Sequence, residues 1–149
     1  MTANPQTPRG VRNANPGNIR EDPNDRTKWL GERAGDNDPA FEEFDDPVYG
    51  LRALMKILLK YRRDYGLSTV AKIIDRWAPP SENATSEYAA AVARRLGVGV
   101  DTPLALTREH LITVARAIVI HENGRPPAGW PADWYSDAQY EKAADLALG

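Results

Sequence analysis

Ala117-Ile118-Val119-Ile120-His121-Glu122-Asn123-Gly124 is an apolar helical run that ends in a carboxylate, an amide and a glycine. Glu122 stands where the carbonyl end of a helix macrodipole favours cations, and a carboxyl group in that setting is biased toward its neutral, proton-donating form. A general acid is made in this way; the plainer alternative is a solvated glutamate before a glycine stop. Upstream, Thr107 can cap the helix, while Leu111, Ile112, Val114, Ala115, Ile118 and Val119 wrap most of its circumference with apolar surface. The spacing predicts a central core helix whose final residues reach the edge of the core, with Glu122 partly desolvated.

Working outward, the sequence predicts further helices. Asp46 as N-cap and Pro47 at the first helical position open one that carries Val48, Leu51, Leu54, Met55, Leu58 and Leu59 on one face and runs to Tyr65 before Gly66. Arg52, Lys56, Lys60, Arg62 and Arg63 cover its remaining surface as a solvated basic face. Ser68 can cap a second helix that buries Val70, Ile73, Ile74 and Trp77 and ends at Ala78-Pro79-Pro80. Glu82 and Asn83 then fall in a turn, and Thr85 can cap a third helix with Tyr88, Val92 and Leu96 inward before Gly97. Glu82 is a second acid candidate, with an exposed charged turn as the alternative.

The tail places Trp130, Trp134 and Tyr135 among prolines. These aromatics suit either sugar stacking or, more simply, stapling of the tail to the core. Ser136 and Gln139 form a capping box for a last helix with Tyr140, Ala144 and Leu148 on one side.

The N-terminal third reads differently. Residues 1–8 are polar with two prolines and read as a disordered arm, leaving 9–149 as a single domain. Arg9 to Arg20 is dense in turn formers and reads as a shaped loop rather than a helix, with Pro16-Gly17 suited to a type II turn. Three Asn and three Arg within it offer hydrogen bonds to a polar ligand, or serve an ordinary connection. Phe41-Glu42-Glu43-Phe44 suits a short extended piece or hairpin edge, so at most a small β element accompanies a mainly α fold. Asp36, Asn37 and Asp38 are too irregular for a calcium loop and read as a solvated turn.

Composition narrows the chemistry. The absence of cysteine excludes a disulfide framework and thiolate metal sites. His110 and His121 are eleven residues apart on one helix, about 16 Å at ~1.5 Å per residue, and cannot share a metal. No Gly-Xaa-Ser-Xaa-Gly elbow is present, so carboxylate chemistry remains, with no metal or cofactor called for. A formal charge of -2 and a pI near 5.7 lack the basic excess of a nucleic-acid binder. No signal-peptide core and no membrane-spanning run is evident, so no membrane insertion is expected.

Several blocks, in order, resemble one family. Arg12-Asn13-Ala14-Asn15-Pro16-Gly17-Asn18-Ile19-Arg20, Phe41 to Phe44 with Gly50-Leu51-Arg52-Ala53, Trp77-Ala78-Pro79-Pro80 with Glu82-Asn83 and Thr85, and His121-Glu122-Asn123-Gly124 are similar to small bacteriophage murein-degrading virion or lysis proteins. The resemblance covers about Gly10 to Gly124 and implies a compact lysozyme-like, lytic-transglycosylase-like helical domain acting on peptidoglycan. Murein glycosidases of this kind carry a catalytic Glu at a helix end and later an Asn-rich turn. Here the two occur in reverse order, which implies a circular permutation.

On this resemblance Glu122 is the catalytic acid and Glu82 a second catalytic carboxylate, with Glu43 and Asp45 as further options. Asn15, Asn18, Arg20, Tyr88, Asn83 and Asn123 are then substrate-binding candidates, and Tyr88 is alternatively a core residue. Peptidoglycan would be the partner. The protein would be made in the host cytoplasm and reach the periplasm or cell wall in the virion or through a holin-type lesion. Three rivals stand beside it: a murein peptide-crosslink endopeptidase, a non-enzymatic virion or glycan-binding protein, and a helix-turn-helix DNA binder, the last opposed by the acidic pI.

Overall fold

Asp46 does cap the first long helix. Its carboxylate accepts from the Val48 N–H, Pro47 occupies the first turn, and Gly66 closes the far end in the left-handed conformation at φ 64°. The computed structural model describes residues 7–22, 24, 28–35, 37–79 and 84–149. In chain order the helices are α1 (Arg9–Arg12), α2 (Pro47–Tyr65), α3 (Val70–Trp77), α4 (Thr85–Leu96), α5 (Arg108–Asn123) and α6 (Asp137–Leu148). The fold is mainly helical, as the apolar periodicity predicts. The N-terminal arm reading falls, for residues 1–6, outside the described residues, and so do Asp36, Glu82 and Asn83.

Helix α5 is central: it packs against α1, α2, α4 and α6. Leu111, Ile118 and Val119 are fully buried, and each such side chain contributes about 1.5–3 kcal/mol of hydrophobic stabilisation. They meet Leu51, Leu54, Met55 and Leu58 of α2 and Tyr140 and Ala144 of α6 in the main core. Leu148 does not join them and is 48% exposed, whereas Ala143 and Ala147 do. The reason is helical phase: at ~100° per residue, position 148 lies about 80° from Tyr140 and position 147 only about 20°.

Two caps differ from expectation by one residue. Thr69, not Ser68, accepts from the Lys72 N–H, and the Ser68 carbonyl instead takes the Leu104 N–H at 2.7 Å. Ala84, not Thr85, is the N-cap of α4. The Thr85 hydroxyl reaches back 2.6 Å to the Ala78 carbonyl and so ties the end of α3 to the start of α4.

The N-terminal loop corrects two readings. Arg9–Arg12 forms a single helical turn, because the Arg12 and Asn13 N–H groups close onto the Pro8 and Arg9 carbonyls and the turn is docked on α5. Gly10 makes that docking possible: a Cβ there would lie 2.5 Å from Asn123 Oδ1 and 2.7 Å from Asn18 Oδ1. Asn15 O and Asn18 N do close a turn around Pro16-Gly17 at 2.9 Å, but it is not type II. The left-handed residues are Ala14 and Asn18, each at φ 51°, and Gly17 is not one of them.

Among the described residues the β content is two isolated antiparallel bridges, Arg20 with Phe41 and Glu32 with Phe44. They pin the Phe41–Phe44 segment between the N-terminal loop and residues 31–33. Phe44 is fully buried and forms a second, smaller core with Ala14, Ile19 and Ala53. Asp38, expected in a solvated turn, is buried. Its Oδ2 accepts from Asn13 Nδ2 at 2.9 Å and pairs with Arg9 Nε at 2.8 Å, while Oδ1 takes the Ala40 and Phe41 N–H groups.

The Asn13 hydrogen bond, then the two backbone donors and the Arg9 charge, outweigh desolvation and hold the Asp38 carboxyl below its ordinary 3.8. A native value below the unfolded one means that the folded state binds fewer protons. The stabilisation is complete above the ordinary value and is lost as pH falls through the native one. Asp38→Asn is expected to flatten the acid side of the stability curve: its denaturant midpoint should fall less than that of the wild type between about pH 5 and pH 2. Equal slopes in urea titrations would contradict this account.

Candidate active site

The last turn of α5 exposes Glu122 at the edge of the core, and two side chains from distant parts of the sequence converge on it. The Tyr88 hydroxyl on α4 donates to Glu122 Oε2 at 3.0 Å, and Asn18 Nδ2 of the N-terminal loop donates to Oε1 at 3.4 Å. Tyr88 is itself fully buried and stacks on His121 with ring centroids 3.5 Å apart. The Tyr88 phenol directs its single proton to Glu122. Burial, then the neighbouring Glu122 charge, push the Tyr88 phenol far above its ordinary value, and it remains a protonated donor at any working pH.

The turn that follows locks the loop to the helix. Asn123 Nδ2 donates both to the Val119 carbonyl one turn back, at 2.9 Å, and to the Pro16 carbonyl across the interface, at 2.8 Å. Gly124 then turns the chain away at φ 74°, and its carbonyl accepts from Trp134 Nε1 at 2.8 Å. Trp134 therefore staples the tail to the end of α5, while Trp130 is 55% exposed and meets Trp134 edge-on.

Glu122 opens onto a cleft of about 350 Å³, a size at the lower end of small-molecule sites. Asn18 and Arg20 form one wall, Ile57 and Tyr61 of α2 another, and Phe41 and Trp77 supply aromatic faces. The Arg20 guanidinium lies 4.8 Å from the Phe41 ring centroid. Glu122 is the only carboxylate among the described residues that line this cleft. Nor do the described residues contain a group of three or more His, Asp or Glu able to hold a metal ion.

Protein P5 of Pseudoalteromonas phage PM2 is 43% identical to the chain over 119 residues, a match that spans 80% of this chain and 73% of that protein. The chain belongs to the family of this phage protein. No family model matches it. Within this P5-family domain the structure sorts the residues singled out in the sequence. Glu122, Asn18 and Arg20 share the cleft. Tyr88 reaches the carboxylate from the core side and is a positioning residue rather than a wall for a ligand.

Asn15 is corrected from ligand contact to loop scaffold. It is fully buried, its Oδ1 accepts from Ile19 N, and its Nδ2 donates to the Ile19 and Glu42 carbonyls. Asn123 is likewise committed to backbone carbonyls. Glu43, considered as a second carboxylate, is buried and engaged by Arg33 and by the Asn37 and Asp38 N–H groups. Asp45 is exposed and does not line the cleft. Glu82 and Asn83 lie outside the described residues. Trp77, Tyr61 and Ile57 are site residues that pattern reading assigned to packing or passed over; an apolar residue at helical spacing carries no mark that its edge reaches a cleft.

Proposed function

We propose that this P5-family protein degrades murein by cleaving the glycan strand, with Glu122 as general acid and chemistry of the lytic transglycosylase type. The observation that carries the reading is the lone carboxylate of the described cleft, held at the end of a buried helix by Tyr88 and faced by an Asn-rich loop. A lysozyme-like domain in which the acid helix and the Asn-rich turn have exchanged their order along the chain accounts for the pairing of residues 18 and 122.

Tyr88 donates to Oε2 from the core side and Asn18 Nδ2 approaches Oε1 at the longer distance of 3.4 Å on the side of the cleft, so Oε1 is the oxygen assigned to proton transfer. Glu122 gives that proton to the glycosidic oxygen as the C–O bond breaks. The sugar's own C6 hydroxyl then attacks the anomeric carbon, and the Glu122 carboxylate takes up the hydroxyl proton, which restores the acid and leaves an anhydro product. A hydrolase would add a second carboxylate about 5 Å away for retention or roughly 6.5–9.5 Å away for inversion. Glu43 is engaged by Arg33 and two backbone N–H groups, and Asp45 does not line the cleft, which favours the intramolecular attack. Phe41, Trp77 and Tyr61 offer flat apolar faces to sugar rings, and Asn18 and Arg20 offer donors to N-acetyl and carboxylate oxygens. Access to the wall would come from the virion or through a membrane lesion made by a partner.

Mass analysis of digested sacculi tests the proposal. Anhydro-muropeptides are the expected products. Reducing ends would move the chemistry to a hydrolase, new peptide termini would replace it by an endopeptidase, and unaltered sacculi would leave a glycan-binding or structural protein.

A further inference from the structure

His121, the neighbour of Glu122, also lines a second groove. This groove of about 510 Å³ runs between the ends of α4 and α5 and is bordered by Arg94, Arg95 and Arg125, with Ala117 and Ile120 among its apolar lining. No carboxylate lines it among the described residues. Several other arginines have partners: Arg9, Arg33, Arg63, Arg108 and Arg116 each engage a carboxylate, Arg62 meets the Leu104 carbonyl, and Arg76 lies over the Tyr61 and Tyr65 rings. Arg94, Arg95 and Arg125 are exposed and engage none among the described residues. Arg94 and Arg95 sit in the last turn of α4, where the helix dipole favours cations. Arg125 follows the Gly124 cap of α5, where the dipole again favours a cation, but two helix ends do not by themselves explain why all three guanidiniums border one groove.

Three unpaired guanidiniums around one groove, on a chain of net charge -2, are a preformed receptor for carboxylates or phosphates. The groove takes His121, and the cleft Glu122, from the last turn of α5. Glu122 and His121 are consecutive, and His121 stacks on the very ring whose hydroxyl holds Glu122. We propose that this basic groove binds the carboxylates of the peptide stems carried by the glycan strand in the cleft, an inference that rests on the murein reading of the Glu122 site. Stems branch from alternate sugars and carry several carboxylates, so a strand placed with its scissile bond at Glu122 projects a stem toward one side of the α5 end. Guanidinium forks match those carboxylates, and Ala117 and Ile120 suit the methyl groups of alanyl residues.

Binding to purified sacculi and to peptide-free glycan strands tests this, with all proteins carrying Glu122→Gln so that no cleavage intervenes. Arg94→Ala/Arg95→Ala/Arg125→Ala is expected to weaken sacculus binding about tenfold or more at low salt and to remove most of its salt dependence. Binding to peptide-free strands should stay unchanged. Lys56→Ala/Lys60→Ala/Arg63→Ala removes the same charge from α2 and should leave sacculus binding within about twofold. Undiminished binding by the groove variant overturns the proposal. So does an equal loss in the α2 variant, which would mean non-specific attraction, or an equal loss on peptide-free strands, which would assign the groove to the glycan. Tight, arginine-dependent binding of duplex DNA with no effect on sacculi would make it a nucleic-acid surface. Failure of the murein reading itself is seen separately, as an unmutated protein that leaves sacculi uncut.

Discussion

Glu122→Gln is expected to lower murein cleavage by about 10³-fold or more, since general acid catalysis contributes roughly 10²–10⁴-fold and the proposed mechanism uses the same group again as the base. The fold should survive the change. Glutamine keeps the volume, its carbonyl oxygen can still accept from Tyr88, and rotation of the Asn18 amide offers Oδ1 to the new NH₂. The rotation exchanges the present bond from Asn18 Nδ2 to Oε1 for one from the new NH₂ to Oδ1, and one Asn18 amide atom lacks a partner before and after it. Stability should therefore change by no more than about 1 kcal/mol. Tyr88→Phe provides the contrast: it keeps the acid and deletes one orienting hydrogen bond, for an expected loss of about tenfold, or ~1.4 kcal/mol. Initial rates of sacculus clearing, with unfolding midpoints measured in parallel, separate the two cases. A Glu122→Gln protein with more than about a tenth of the original rate would end the assignment of the acid.

Gly50→Ala is the second large effect, and it acts on the scaffold. An alanine Cβ at this position would fall inside the contact distance of the Ala14 carbonyl oxygen and 2.6 Å from Pro16 Cδ. Glycine within an exposed helix costs about 1 kcal/mol relative to alanine, so propensity alone favours the substitution. The clash reverses the sign. Helix α2 cannot retreat because Leu51 and Leu54 are fully buried on its inner face, so the loop must give way. Overpacking against backbone costs about 1–3 kcal/mol and occasionally more. The displaced residues include Pro16, whose carbonyl holds Asn123, and their neighbour Asn18. Cleavage should consequently fall further than stability does. A variant as stable as the parent in urea titrations would show that the loop does not rest on α2 as described.

The helical frame was legible because its signals are local. Asp46-Pro47 with Gly66, Thr107, and the Ser136–Gln139 box each satisfy their own helix ends within four residues, and the structure bears them out. The Asn-rich loop was legible as a loop but not in its detail. Whether an asparagine faces a ligand or a carbonyl depends on partners up to 107 residues away, as for Asn123 and Pro16. Asn15 and Asn18 have the same composition and nearly the same address, yet one is a scaffold and the other lines the cleft. The short α1 was missed for a related reason: one helical turn has no periodicity, and contact with α5 supports it. Asp38 read as part of a solvated turn and Glu43 as an option for a second carboxylate because nothing in their spacing reveals the backbone N–H groups that surround them.

The hydrogen bond from Asn18 to Glu122 joins residues 104 apart in sequence, and the Pro16 to Asn123 link is of the same span. Closing so long a loop carries an entropic cost that only the finished interior can offset. During synthesis the first twenty residues leave the ribosome well before the end of α5 exists, and domains fold as units once enough chain has emerged. Glu122 thus acquires Asn18 as a partner only after α5 has been made, so the cleft is a late product of folding.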